Sequence, residues 1–231
     1  MFRFKQFSIS QEKSAMKVGT DGVLLGAWSP VEKANNVLDI GTGTGLIALM
    51  LAQRNLEAKI DAIEIEENAF TEAQLNVTKS PWQSRIKVFK TSLQTFKSDV
   101  QYDLIVSNPP YYTDTYQNED AERTLARHVD NLSFQNLLYH TSFMLKDTGI
   151  CTFIIPYLEE QNFIDLAKDQ GLFICKITRV KGRSELSFKR SLLCFSKELK
   201  TCIEDELVIE MDRHIYTPEY INLTQSFYLN M

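Results

Sequence analysis

Residues 39–45 read Asp39-Ile40-Gly41-Thr42-Gly43-Thr44-Gly45. An apolar run over 37–40 leads into them, and a helix-like stretch over 46–54 leads out. Three glycines at alternate positions let the backbone turn sharply and come close to a ligand. The helix that follows points its first amides toward the same place. Strand, glycine turn and helix in this order predict an α/β unit, and the pattern continues on both sides.

Downstream, strands are predicted over 60–65, 86–89 and 103–106, with a helix over 67–77 between the first two. A polar stretch over 107–131 precedes a helix over 132–145. A connection of that length in a compact domain is usually functional or mobile. A strand over 150–155, an amphipathic helix over 158–170 and strands over 172–180 and 191–195 follow. Upstream, Phe2, Phe4 and Ile9 predict a short strand or hairpin, and Asp21 stands as the cap of a short helix ending at Trp28. Strands alternating with helices predict an α/β fold with a mostly parallel, seven-stranded sheet and helices on both faces. In such sheets the ligand sits beyond the carboxyl ends of the strands.

The chain has 231 residues, which fits one domain, here 1–231, with a short extension over about 1–30. No apolar run reaches membrane-spanning length, and the N-terminus is too polar for a secretory segment. A cytoplasmic setting is expected. Cys151, Cys175, Cys194 and Cys202 form no C-x-x-C pair, and with three histidines there is no zinc pattern, so no metal is expected. The thiols read as reduced and mostly buried. Net charge is −5. Yet residues 176–200 hold eight basic side chains against Glu185 and Glu198 alone.

The glycines are spaced G-x-G-x-G, unlike the G-x-G-x-x-G of dinucleotide folds. Asp39 stands two positions before the first glycine. S-adenosylmethionine has no phosphate but carries an ammonium, which suits a carboxylate nearby, met directly or through water. Glu64 closes the second strand, where a carboxylate can accept both ribose hydroxyls of an adenosine. The predicted cofactor contacts are therefore Asp39, Gly41, Gly43, Gly45 and Glu64, with Asn108 beside them.

After the fourth strand comes Ser107-Asn108-Pro109-Pro110-Tyr111. An aryl amine is a poor nucleophile because its lone pair is delocalised. The Asn108 side-chain oxygen and the Pro109 carbonyl can accept its two protons. Prolines restrain the backbone that holds these acceptors. Tyr111 offers a face for stacking a base, worth about 1–3 kcal/mol. Asn108, Pro109, Pro110 and Tyr111 are the candidate catalytic set.

Together these motifs resemble those of class I methyltransferases acting on planar amides or amines. Met16 to Trp28, the Asn-Pro-Pro-Tyr-Tyr run and Thr217 to Leu229 make the chain similar, over nearly its whole length, to the bacterial tRNA(Val) adenine-N6 methyltransferase family. The resemblance implies a Rossmann-like methyltransferase fold, S-adenosylmethionine as cofactor, and tRNA as partner with an anticodon-loop adenosine as target. It also implies that Lys17, Thr20 and Asp21 line the cofactor site from above. One departure stands out. The family usually has an acidic residue after the third strand, where this chain has Ser92.

The candidate RNA contacts are Tyr112, Arg123 and Arg127 after the signature, and Arg179, Lys181, Arg183, Lys189 and Arg190 in the basic segment. A charge run alone is usually a solvated face. Two other functions fit parts of the sequence. A glutamine-N5 protein methyltransferase shares the Asn-Pro-Pro-Tyr signature but normally carries a separate N-terminal helical domain. A non-catalytic RNA-binding protein with a vestigial cofactor fold would have no need of the intact Asp39, Glu64 and Asn108 set.

Overall fold

Strand β3 (Asn36–Ile40) runs through the middle of the sheet, and its last four residues are buried. It feeds the glycine turn and then α2 (Leu46–Arg54). The structure is a computed structural model that describes residues 1–110 and 132–231. Before β3 come a hairpin of β1 (Phe2–Arg3) and β2 (Ser8–Ile9), then α1 (Thr20–Trp28). After α2 the order is β4 (Lys59–Glu64), α3 (Glu67–Thr78), β5 (Ile86–Lys90), β6 (Tyr102–Ser107), α4 (Phe134–Met144) and β7 (Leu145–Pro156). Then come α5 (Glu160–Asp169), β8 (Phe173–Lys181), β9 (Arg190–Ser196), β10 (Ile203–Val208), a small hairpin of β11 (Glu210–Asp212) and β12 (Ile215–Tyr216), and α6 (Pro218–Thr224).

Among the described residues the main sheet has eight strands, in the order β10-β8-β9-β7-β6-β3-β4-β5. That is one more than the seven expected. The extra strand is β10, parallel to β8 with Ile203 opposite Lys176 and Val208 opposite Lys181. Only β9 runs against its neighbours. Successive residues of the central strands face opposite sides. Val37, Leu104 and Ile154 join one core with α1, α2 and Tyr220 of α6. Leu38, Ile105 and Phe153 join another with Leu137 and Leu138 of α4 and Phe163 of α5.

Helix α2 is buried without a break from Leu46 to Ala52, because the sheet lies on one side and α1 on the other. A Cβ on Gly26 would come within 2.8 Å of Met50 Sδ, so a side chain there would push the two helices apart. Helix α1 starts at Thr20 with Gly19 as its cap and no side-chain capping bond. Asp21 is therefore inside the first turn and not the cap expected.

The chain's two ends meet. The Lys5 amide donates to Phe227 O at 2.8 Å, and Lys5 Nζ donates to Gln225 O at 2.6 Å and Met231 O at 2.8 Å. Phe2 and Phe4 pack against Tyr228. All four cysteines are free, with Cys151 and Cys194 buried. No helix among the described residues is long and apolar enough to cross a membrane.

Candidate active site

The glycine turn adopts the strained backbone its sequence permits. Gly41, Gly43 and Gly45 have φ of 68°, 58° and 84°, in the left-handed region where side chains are disfavoured. Above Gly41 and Gly43 there is open space. That space belongs to a cavity of about 700 Å³. Gly41, Thr42, Gly43 and Thr44 form its floor, and Glu64, Ser92, Asn108 and Pro110 stand around it. Lys17, Thr20 and Asp21 line it too.

Glu64 ends β4 and is almost fully buried. Its Oε2 accepts the Gly43 amide at 2.8 Å, and its Oε1 accepts the Ile65 and Glu66 amides at 2.8 and 2.9 Å. An ionised carboxylate offers about four lone-pair positions. Three are used here, so Glu64 shapes the turn and keeps one acceptor site for a ligand.

Asp39 does something different from what its sequence position promised. It is completely buried and lies under the turn, outside the cavity lining. Oδ2 accepts the Thr42 hydroxyl at 2.5 Å and the Ala48 amide at 3.1 Å, which ties the turn to α2. Oδ1 is buried with no partner. Burial pushes this carboxyl up to about 7, against the Thr42 and Ala48 hydrogen bonds, and the Glu64 charge adds to the rise. The folded protein then keeps a proton that the unfolded chain has already released. The Asp39 contribution to stability is full below the unfolded value of about 3.9, falls as pH rises, and levels off above about 7. Asp39→Asn lacks this titration. Thermal melts of variant and wild type without ligand should diverge between pH 5 and pH 8, the variant gaining relative to wild type as pH rises. A difference that stays constant over that range would show Asp39 to be ionised throughout.

The N-terminal segment forms another part of the lining. Ser14 to Gly22 all line the cavity. Two buried polar residues of α3 hold this segment down. Glu72 accepts the Lys13 amide at 2.8 Å, the Ser14 amide at 3.0 Å and the Ser14 hydroxyl. Asn76 accepts the Ser10 amide at 2.8 Å and donates to Ser10 O and Thr44 O, both at 2.9 Å. Asn76 thus joins the segment to the glycine turn. Burial alone would raise the Glu72 carboxyl, but the Lys13 amide and the Ser14 hydroxyl and amide outweigh it and hold the group below the ordinary glutamate range. Sequence reading missed both residues. Their signal was polar side chains at the core-facing helix spacing, among Ala69, Ala73 and Val77. Glu72→Ala should raise the dissociation constant for S-adenosylhomocysteine about tenfold, since charged hydrogen bonds of about 1.5–3 kcal/mol are lost. Calorimetry checks this; equal affinities would mean that the segment seats itself without Glu72.

Where β6 ends, the Ser107 hydroxyl donates to Ile40 O at 2.8 Å and ties that strand to the foot of the turn. Asn108 follows, half-buried, then buried Pro109 and exposed Pro110. Tyr111, Tyr112, Arg123 and Arg127 lie outside the described residues. Ser92 lines the cavity, with its hydroxyl 2.8 Å from that of Thr95. Lys17 Nζ donates to the carbonyls of Gln11, Glu12 and Ser14, which rigidifies the segment.

The basic segment is less open than its local charge count implied. Arg179 donates twice to Glu160 Oε1 and once to its Oε2, and pairs with Glu204 at 2.8 Å. Lys181 pairs with Glu206 at 3.1 Å, Arg183 with Glu210 at 3.8 Å, and Arg190 with Asp21 at 2.7 Å. Lys189 is exposed. Two of these acidic partners, Glu204 and Glu206, come from β10, the strand that sequence reading did not find.

The family model that describes the methyltransferase small domain matches residues 14–134. A curated relative from Flavobacterium johnsoniae, named tRNA1(Val) (adenine(37)-N6)-methyltransferase, is 53% identical over the full length of both chains. The chain belongs to the tRNA1(Val) (adenine(37)-N6)-methyltransferase family. Relatives of the same name from Flavobacterium psychrophilum and Bacteroides fragilis are 51% and 47% identical over all of this chain, and cover 100% and 98% of their own lengths. Among solved structures, a predicted O-methyltransferase from Agrobacterium tumefaciens superposes with a TM-score of 0.70 at 17% identity, covering 90% of this chain and 96% of that one. A methyltransferase from Pyrococcus furiosus gives 0.59 at 22%, with 84% and 90% covered. At these identities the likeness is one of fold, which is that of class I methyltransferases. For this member of the adenine(37)-N6 family, the segment over 14–22 and the turn over 41–44 line one cavity, and Gly45, expected to touch the cofactor, instead packs close to Ala73 outside that lining.

Proposed function

We propose that this chain transfers a methyl group from S-adenosylmethionine to N6 of an adenine in tRNA, namely adenosine 37 of tRNA(Val), the target in its relatives' name. The observation that carries this reading is that one cavity joins the glycine turn and Glu64 to Asn108 and Pro110. The cofactor fits the residues present. The turn leaves open space above Gly41 and Gly43, and Glu64 keeps an acceptor site for ribose. Gly41, Gly43, Glu64, Ser92 and the segment with Lys17, Thr20 and Asp21 would hold it. Bound S-adenosylmethionine supplies an electrophilic methyl group.

The chain's own part is positioning and electrostatics. The Asn108 side-chain oxygen and the Pro109 carbonyl accept the two amine protons, which favours a pyramidal nitrogen with an available lone pair. The cationic product amine gives up its proton to water, so no general base is required. The same acceptors would suit a glutamine amide, but the full-length relatives favour the adenine amine. Tyr111 and Tyr112 are proposed to stack the base, and Arg123 and Arg127 to meet phosphate. Of the basic segment, exposed Lys189 and loosely paired Arg183 are the better phosphate contacts, and Arg179 the weakest, because two carboxylates already hold it. We read the whole chain as one methyltransferase unit acting in the cytoplasm.

The test is methyl transfer from labelled cofactor to unmodified tRNA, followed by digestion to nucleosides. Label in N6-methyladenosine is the expected result. Label in another nucleoside, or none in tRNA, overturns the reading.

A further inference from the structure

A second cavity, of about 590 Å³, opens beside the first. Val18, Gly19 and Thr20 line both, so this stretch is the wall between them. The second cavity lies at the carboxyl edge of the sheet. Ile209 lines it, directly follows β10, and donates its amide to Lys181 O at the end of β8. β10 and β8 run in the same direction as β3, so this is the edge where the glycine turn emerges.

The lining is aromatic and polar together. The rings of Tyr216 and Tyr220 are 5.2 Å apart at 37°, and Phe2 meets Tyr228 edge-on at 6.4 Å. Burial raises both the Tyr220 and Tyr228 hydroxyls above the ordinary tyrosine range. Glu210 adds a carboxylate, and Arg3 is exposed at the rim. Methyl transfer as derived above uses none of these groups. Flat π faces hold an unstacked base. A carboxylate accepts protons from an exocyclic amine, and an arginine meets a backbone phosphate. A hydrocarbon ligand would offer no hydrogen bond to Glu210, whose ion pair with Arg183 is long at 3.8 Å, and a small cation would meet Arg3 with like charge. We propose that this cavity takes a second, unstacked nucleobase of the RNA substrate, one bearing an exocyclic amine, while the target adenine enters the first. This deepens the proposed tRNA reaction and rests on it.

Tyr216, half-buried on β12, is the residue to vary. Tyr216→Leu keeps bulk and removes the π face; Tyr216→Phe keeps the ring. Steady-state methylation of unmodified tRNA should give a KM for tRNA about tenfold higher in the leucine variant, with kcat at saturating tRNA within about twofold and near-normal KM in the phenylalanine variant. The dissociation constant for S-adenosylhomocysteine, unchanged in both, confirms that each variant is folded. An unchanged KM in Tyr216→Leu overturns the subsite while leaving the reaction standing. A wild-type protein that transfers no methyl group to tRNA overturns the reaction and the subsite with it. Titration with cytidine 5′-monophosphate separates free nucleotide from RNA: saturation at micromolar ligand assigns the cavity to a free nucleotide and overturns its assignment to an RNA base.

Discussion

Replacing Asn108 with alanine will abolish methyl transfer and leave the affinity for S-adenosylhomocysteine within about threefold of wild type. In the proposed reaction these two effects have different sources. Asn108 follows the end of β6, whereas Glu64, which holds the Gly43 amide, ends β4. In that proposed reaction the Asn108 side-chain oxygen accepts a hydrogen bond from the substrate amine. Loss of one hydrogen bond commonly costs about 1–3 kcal/mol. An acceptor whose bond strengthens as the nitrogen turns pyramidal costs more, and a single transition-state donor or acceptor is worth roughly 100- to 1000-fold in kcat. Asn108→Asp sharpens the test, because it keeps the oxygen and adds a charge. Single-turnover methylation of tRNA, with calorimetry on the same preparations, measures both quantities. An alanine variant that turns over near the wild-type rate would remove Asn108 from the chemistry.

Glu64→Ala should have the opposite profile. The dissociation constant for S-adenosylhomocysteine should rise about a hundredfold, or roughly 2.7 kcal/mol. Two losses combine. The ribose loses a charged acceptor, and the amides of Gly43, Ile65 and Glu66 lose theirs. Glu64→Gln keeps one oxygen for those amides and should fall in between. Identical constants for all three proteins would mean that the acidic contact to ribose is made by another residue.

Much of this site was legible locally. The turn at 41–45 and the helix after it read directly, because left-handed glycines and a helix start are short-range features. Asn108 was flagged locally by the two prolines that follow it, and it lines the cavity. What depended on distant neighbours was not legible. Asp39 carries the same letter whether it faces a ligand or lies under the turn, and only the packing of Thr42 and Ala48 around it tells which. The basic residues over 179–190 looked uncompensated because Glu160, Glu204, Glu206 and Glu210 are distant in sequence and adjacent in space. β10 escaped notice for the same reason. Its first four residues are exposed, so no apolar alternation marks them, and its acids are explained by the cations of β8 beside them.

The meeting of the chain's ends bears on how the protein is made. Lys5 donates to Met231 O across 226 positions of sequence. Synthesis runs from the N-terminus, so Phe2, Phe4 and Lys5 leave the ribosome long before Phe227, Tyr228 and Met231 exist to receive them. The sheet can begin to assemble during elongation, but the contacts of Phe2, Phe4 and Lys5 with residues 225–231 must wait until those residues have emerged. Full docking of the N-terminal hairpin therefore follows emergence of residues 225–231, and a nascent chain stalled short of Phe227 should expose its first residues to protease.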